Sequence, residues 1–315
     1  MTRYYHIEDG RLTELEKPVL SCWINVTPPF EPGELDSLAE EHSIPIDFLT
    51  DSLDIDERSR YEREDDIRLI LVNTPMLNEI DKENEAIYIT APIGIILTLD
   101  HVLTICQYEN PILQRFIDGR IKGFDPANEQ MFVLKIFEQN VMRFMDSLKK
   151  LNIKRNMIEK ELYNSSRNSE IQQLLRIEKS LVYFVNTLSS NELLNLKIKR
   201  TDFLRLGENE EEAEFFDDII IDNGQALSMA NIYTNILSGT MDAYTSIISN
   251  NLGLFIQRLT IITIILMVPT LVASFFGMNV RIPFEDTRGA FYIVLIMATS
   301  LSLLLVWFFR RKNLF

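Results

Sequence analysis

Two uninterrupted apolar runs lie at the end of the chain, at 259–278 and 290–309, and each contains 20 residues without a charge. A helix needs about 20 apolar residues to cross the hydrocarbon core of a bilayer. The alternative, a pair of buried core helices, would need more covering protein than a chain of 315 residues offers. The pattern predicts two antiparallel transmembrane helices, joined by a short external loop at 279–289 and followed by a basic tail at 310–315.

The first 125 residues show the pattern of short strands alternating with helices. Runs rich in β-branched and aromatic residues predict strands at 21–26, 67–72, 86–90, 93–99 and 102–106. The polar pair Asp100-His101 between the last two runs predicts a hairpin turn. Pro32-Gly33 marks a loop that leads into a helix. We expect residues 1–125 to form an α/β domain.

From about Asn128 onward the apolar residues recur at helical spacing. The polar segment 165–169 interrupts this pattern, and 170–196 predicts a second long helix that runs back. A third helix begins near Glu214 and continues into the first apolar run, over about sixty residues or roughly 90 Å. A helix of that length needs partners along it, which favours an oligomer. We assign 126–255 to a helical stalk and 256–278 to the first membrane helix.

The charge of the chain narrows its function. The formal net charge is -15, and most charged residues precede residue 223. An acidic chain lacks the basic surface that nucleic-acid phosphates require, but it suits a protein that handles cations. Cys22 and Cys106 have no CxxC neighbour, so the sequence predicts no disulfide framework and fits a reducing compartment.

Basic residues near the apolar runs predict the orientation in the membrane. Arg258 precedes the first run and Arg310, Arg311 and Lys312 follow the second, whereas the connection carries Arg281 and Arg288. The start of the chain shows no signal-peptide pattern ahead of the long acidic domain. We expect a multi-pass protein of the cell (plasma or inner) membrane with both termini in the cytoplasm.

A short motif ends the first apolar run: Phe275-Phe276-Gly277-Met278-Asn279. In this position, after an acidic domain and a long helix, it resembles the signature of the CorA family of magnesium transporters. The resemblance covers the whole chain and includes the polar stretch 244–251 and the basic end. It implies an α+β membrane protein that assembles as a homopentamer. Five first spans would surround an axial pore, with the second spans as an outer ring and the soluble domains as a funnel.

The resemblance also implies the residues along the ion path. Asn279 would place a ring of amide oxygens at the outer mouth, where they can contact hydrated magnesium, with Gly277 allowing a close turn and Met278 packing behind. The alternative is that Gly277 and Asn279 cap a helix. The implied pore-lining positions are Ile256, Leu259, Thr263, Met267, Thr270 and Ser274, with Asp242 on the cytoplasmic side. The apolar members would gate the pore by dewetting.

Two acidic runs, 51–66 and 208–222, each hold eight carboxylates. The simple interpretation is a solvated surface. In the resembled family, the position of Asp218 binds regulatory magnesium between subunits, and Asp217 and Asp222 could share that role. A partner carboxylate would come from Glu83, Glu85 or the 51–66 run, and bound magnesium would favour the closed pentamer. The external loop departs from the family pattern, because Arg281 and Arg288 accompany Pro283, Glu285 and Asp286.

We therefore expect a magnesium channel driven by the membrane potential, with membrane lipid and copies of itself as partners. The alternatives are a proton-coupled zinc transporter of the ZntB type, or transport of cobalt, nickel or manganese. The implied pore-lining side chains offer zinc no thiolate or imidazole, which favours magnesium. No P-loop, Gly-x-Ser-x-Gly or His-Glu-x-x-His motif supports an enzyme or an organic substrate. A non-conducting scaffold with the same fold stays open.

Overall fold

The structure is a computed structural model that describes residues 1–8, 10–78, 85–164, 168–278 and 289–312. It divides into two compact units, Met1–Ser238 and Gly239–Phe315. The first unit contains a seven-stranded sheet and long helices. The second contains the two apolar helical segments.

The sheet is mixed, with strand order β2-β1-β3-β7-β6-β5-β4. Every neighbouring pair is antiparallel except β3 and β7, which run parallel. The strands are β1 Thr2–Glu8, β2 Arg11–Leu15, β3 Trp23–Val26, β4 Arg60–Glu64, β5 Ile67–Leu77, β6 Tyr88–Leu97 and β7 Val102–Ile105. The mixed sheet and the long helices make the chain an α+β protein.

The predicted central strands are confirmed, with one difference. The runs at 86–90 and 93–99 form one strand, β6, in which Pro92 lies opposite Asn73 of β5. The predicted β6–β7 hairpin is present, and Thr98 N donates to His101 O at 3.0 Å across its turn. The sequence patterns did not predict β1, β2 or β4, whose side chains are mostly polar or only partly buried.

Both faces of the sheet are covered because successive strand residues point to opposite sides. On one face, Ile24 packs with Leu38 and Phe48 from helices α1 (Glu34–His42) and α2 (Ile46–Asp51). On the other face, the Trp23 ring lies 5.2 Å from Phe132, and its Nε1 donates to Thr104 at 2.7 Å. The α1 start after Pro32-Gly33 matches the prediction.

The second face is covered by α3 (Pro111–Ile117), α4 (Glu129–Asn164) and α5 (Asn168–Thr201). Two asparagines fix the long helices to the sheet, since Asn140 of α4 and Asn191 of α5 both donate to Asn73 O, at 3.0 and 2.9 Å. The two long helices confirm the prediction. The break predicted at 165–169 falls mainly on 165–167, which lie outside the described residues.

A short 3-10 helix, Leu206–Glu208, precedes the longest helix, α6, which spans Glu210–Phe276 and contains Pro269. The start of α6 packs on α4 and α5: the rings of Phe216 and Phe137 lie 6.2 Å apart, and Asn223 donates to Leu188 O at 3.0 Å. The last helix, α7, spans Ala290–Arg311. Among the described residues, α6 and α7 are the two helices long and apolar enough to cross a membrane.

Candidate functional site

The membrane segment of α6 has one covered face. Ile261 is buried, and the other less exposed side chains on that face follow it at spacings of three and four: Ile265, Val268, Val272 and Phe276. On α7 the less exposed side chains also share one face: Ala290, Val294, Ala298, Ser302, Leu305 and Phe309. Small residues at spacings of four let membrane helices approach closely. These faces are where two helices of one unit can pack together.

The pore-lining positions implied by the family resemblance form a stripe on the opposite face of α6. The stripe consists of Ile256, Leu259, Thr263, Met267, Thr270 and Ser274. Leu259, Thr263 and Met267 each lie two positions from a covered residue, which is about 200° around a helix. Ile256, Leu259 and Met267 are 53%, 54% and 62% exposed. Thr263, Thr270 and Ser274 are exposed as well. The protomer leaves the whole stripe uncovered.

Two hydroxyls of the stripe bond to their own helix. Thr263 donates to Leu259 O at 2.8 Å, and Thr270 donates to Leu266 O at 3.1 Å. Each hydroxyl hydrogen is therefore committed, while the oxygen keeps lone pairs that can accept. A hydrated cation presents water hydrogens to its surroundings, so hydroxyl acceptors suit it chemically.

Asp242 continues the stripe toward the start of the second unit. Its side chain is exposed, and helical spacing places it on the same side as Ile256. A shallow surface along α6 follows it, lined by residues of that helix alone: Thr245, Ser246, Ser249, Asn250, Gly253, Leu254 and Gln257. The polar side chains of this segment could contact a hydrated ion. They precede the apolar positions of the stripe along α6.

The motif at the other end of α6 is described in part. Gly277 N donates to Ala273 O at 2.9 Å and to Ser274 O at 3.2 Å, so the helical hydrogen bonds continue to this residue. A Cβ at Gly277 would lie 3.3 Å from Ala273 O, one turn earlier in the same helix. Met278 is half exposed. Asn279 and the loop residues Arg281, Pro283, Glu285, Asp286 and Arg288 lie outside the described residues.

The acidic residues at the start of α6 divide into paired and unpaired groups. Asp217 forms an ion pair with Lys199 of α5. Asp218 and Asp222 are exposed and lie four residues apart, which makes them neighbours on one helix face. In the described part of the chain, no three histidine, cysteine or acidic side chains are grouped so as to hold a metal ion. The three aspartates therefore do not form a complete metal site within one protomer.

The candidate partner carboxylates lie elsewhere in the first unit. Arg60 contacts three carboxylates of the 51–66 run: Glu57 at 2.6 Å, Asp51 at 2.7 Å and Glu62 at 3.4 Å. Glu85 accepts a bond from Arg176 through its main-chain oxygen at 2.9 Å. Glu83 lies outside the described residues. Neither the 51–66 run nor Glu85 is joined to Asp218 by a hydrogen bond or ion pair found in the described residues.

A histidine pair that the sequence did not predict lies at one end of the sheet. The rings of His42 and His101 lie 5.4 Å apart at 89°, and Cys22 Sγ is 3.4 Å from His101 Nδ1. Burial, and then the neighbouring His42, lower the pKa of His101. No spacing rule connects residues that are 59 positions apart, so only the fold reveals this pair.

The whole chain is similar to proteins of one known family. The chain matches the family described as CorA-like Mg2+ transporter protein over residues 21–311. It is 25% identical over 317 residues to the cobalt/magnesium transport protein CorA of Methanocaldococcus jannaschii, covering 97% of each chain. The complete structure of the CorA magnesium transporter from that organism has a TM-score of 0.82 at 22% identity, covering 99% of this chain and 98% of that one.

A second solved structure shares the fold of the first unit. The ZntB cytoplasmic domain from Vibrio parahaemolyticus has a TM-score of 0.61 at 10% identity, covering 79% of this chain and 98% of that one. At that identity the likeness concerns the fold alone. It gives the zinc alternative less support than the CorA relatives give the magnesium interpretation.

Proposed function

Because the chain belongs to the family of CorA-like Mg2+ transporter proteins, as its motif predicted, we propose that it conducts magnesium through a pore lined by α6. The observation that carries the proposal is the exposed stripe opposite the covered face of α6. Five copies arranged around an axis would turn their stripes toward one another, with α7 outside. On this proposal the chain is a transporter and catalyses no chemical reaction.

The stripe supports conduction of a hydrated ion. Magnesium sheds its water reluctantly and prefers oxygen ligands. Thr263, Thr270 and Ser274 supply hydroxyl oxygens, and Asn279 supplies an amide oxygen at the mouth. Ile256, Leu259 and Met267 form apolar rings that close the path when they exclude water.

The stripe also bears on the choice of ion. Its side chains include no imidazole or thiolate, which zinc would prefer. Cobalt is a second cargo by analogy with the relatives named for cobalt and magnesium transport. Nickel and manganese belong to the same proposal, whereas proton-coupled zinc transport is the less supported alternative.

The direction of transport follows from the orientation expected from the basic residues. With both termini in the cytoplasm, the 279–289 loop lies outside and the 310–315 tail lies inside the cell membrane. An inside-negative potential contributes about 2.3 kcal/mol per charge per 100 mV, and roughly twice that for a divalent ion. Magnesium import then needs no other energy source.

Regulation would use the exposed carboxylates of α6. Asp218 and Asp222 of one copy, together with a carboxylate of the next, would bind cytosolic magnesium and favour the closed pentamer. Without the ion, the carboxylates repel one another and the subunits separate. Asp217 contributes less, because Lys199 already neutralises it.

Ion flux into proteoliposomes tests the conduction proposal. We expect magnesium influx that follows the membrane potential, ignores a proton gradient and disappears in Asn279→Ala. Asn186→Ala, at an exposed position of α5 in the first unit, is the matched control and should conduct like the unchanged protein. Zinc influx that rises with the proton gradient, with little magnesium flux, would overturn the proposal in favour of the zinc alternative.

A second assay tests regulation separately. Asp218→Ala should conduct at internal magnesium levels that close the unchanged channel. Asp146→Ala removes an exposed carboxylate of α4 outside the acidic run and should close normally. Unchanged closure in Asp218→Ala would remove this residue from the regulatory site without affecting the conduction proposal.

A further inference from the structure

The C-terminal turn of α7 combines aromatic and basic side chains. Trp307 is 58% exposed, and Phe308 beside it is also exposed. Arg310, Arg311 and Lys312 follow directly and are exposed. The Arg311 guanidinium lies over the Trp307 ring, 5.3 Å from its centroid, which is a cation–π contact. This contact holds one positive group beside an aromatic ring at the end of an apolar helix.

A fourth base emerges at the same membrane surface. Arg258 directly precedes the uncharged run of α6 and is exposed. Two consecutive spans with a short connection begin and end on the same side of a bilayer, so Arg258 and the end of α7 share one interface. We define the interfacial basic cluster as Arg258, Arg310, Arg311 and Lys312.

Carboxylates are scarce in the part of the second unit that the structure describes. Within 239–278 and 289–312, Asp242 is the one carboxylate, and it lies 16 positions before Arg258, or about 24 Å along a helix. No ion pair involving a member of the cluster occurs in these ranges or in the described part of the first unit. Among the described residues these four bases form no ion pair, although the net charge of the chain is -15.

We propose that the interfacial basic cluster binds the headgroups of anionic phospholipids. Bases close to a bilayer attract acidic lipids, and tryptophan prefers the same interfacial depth. Three of the four bases are arginines, whose planar guanidinium can donate two hydrogen bonds to one phosphate. The Trp307 ring positions Arg311 at the headgroup level. The proposal rests on membrane insertion and does not depend on which ion is transported.

The chain carries its own probe for this site. Its tryptophans are Trp23 and Trp307, and Trp23 is 0% exposed in the sheet domain. Quenching of fluorescence by brominated lipid acyl chains therefore reports on Trp307. The experiment uses the full chain in nanodiscs of phosphatidylcholine, in which a small equal fraction of either brominated phosphatidylglycerol or brominated phosphatidylcholine is included.

We expect the acidic lipid to be enriched around Trp307 at least about threefold over the neutral lipid at low salt, with the preference declining as salt is raised.

The triple substitution Arg310→Gln, Arg311→Gln and Lys312→Gln should remove the preference, whereas Arg311→Lys should keep most of it. The control replaces three exposed lysines of the first unit by glutamine, Lys122, Lys149 and Lys197, and should keep all of it. Equal quenching by both lipids, or a preference that survives the first triple substitution, would overturn the proposal. Because no transport is measured, failure here leaves the conduction proposal standing.

Discussion

The Thr263 hydroxyl donates a 2.8 Å hydrogen bond to the main-chain oxygen of Leu259, one turn earlier in α6. The bond fixes which part of the hydroxyl is free. Its hydrogen is donated back along the helix, while its oxygen keeps lone pairs that can accept. Thr263 lies on the face of α6 opposite Ile261 and Ile265. A hydrated magnesium ion needs acceptors for its water hydrogens, and in the proposed pore Thr263 would provide one.

Thr263→Val tests this role of the hydroxyl. Valine keeps the shape but cannot accept a hydrogen bond, so magnesium flux should fall about fivefold, as expected for loss of a contact of roughly 1 kcal/mol. Thr263→Ser should retain most of the flux. Thr299 of α7 makes the same back-bond to Leu295 O at 2.8 Å, so Thr299→Val is the matched control. Equal losses for both valine variants would mean that the effect comes from helix packing.

The Lys199–Asp217 pair gives a prediction about regulation. Both side chains are about half exposed, so the pair contributes little to the stability of the fold. Lys199→Gln should free the Asp217 carboxylate beside Asp218 and lower the internal magnesium concentration that closes the channel severalfold. Lys150→Gln breaks the comparable pair with Asp146 in α4 and should leave closure unchanged. If Lys199→Gln also leaves closure unchanged, Asp217 has no part in ion binding.

Gly94 of β6 gives a prediction about stability. A Cβ at this position would lie 2.0 Å from Ser52 Oγ, because the end of α2 packs directly on the strand, and 2.9 Å from Cγ2 of Ile105, its partner on β7. Gly94→Ala should lower the free energy of unfolding of the sheet domain by about 1–3 kcal/mol. Adding Ser52→Gly should restore part of the loss, as measured by chemical denaturation. If the changes in unfolding free energy caused by Gly94→Ala and Ser52→Gly simply add in the double variant, α2 does not press on Gly94.

The histidine pair predicts a pH dependence of stability. Burial and the neighbouring His42 lower the pKa of His101 in the folded chain below its ordinary value of 6.5. Below that pH the unfolded chain therefore binds a proton that the folded chain resists, so stability falls on acidification until the folded pKa is passed. His101→Gln should weaken this loss between pH 7 and pH 5 in thermal unfolding. The same pH dependence in both proteins would contradict the assignment to His101.

Much of the fold follows from local pattern, and what escaped prediction has a physical cause. Trp23–Val26 and Val102–Ile105 are wholly buried strands, so their apolar runs revealed them. The strand Arg60–Glu64 has four charged residues among five and forms because β5 offers it a partner edge, which no local pattern encodes. The Lys199–Asp217 ion pair likewise joins two helices, so no local pattern predicts it. The stripe on α6 required the family resemblance, because every face of an apolar helix looks alike in sequence.

Cysteine accessibility of the membrane segment tests the central claim that the exposed stripe of α6 faces a water-filled path. Labelling of the native cysteines should be low, because Cys22 and Cys106 are buried. Burial also raises the pKa of Cys106 to about 12, so its thiol stays protonated. Single cysteines would replace Thr263 or Met267 on the stripe, and Ile265 or Val272 on the covered face. In proteoliposomes, a charged thiol-specific reagent should block magnesium flux through the Thr263→Cys and Met267→Cys proteins and leave the other two unaffected. Equal reactivity on both faces, or none on the stripe, would contradict the pore assignment.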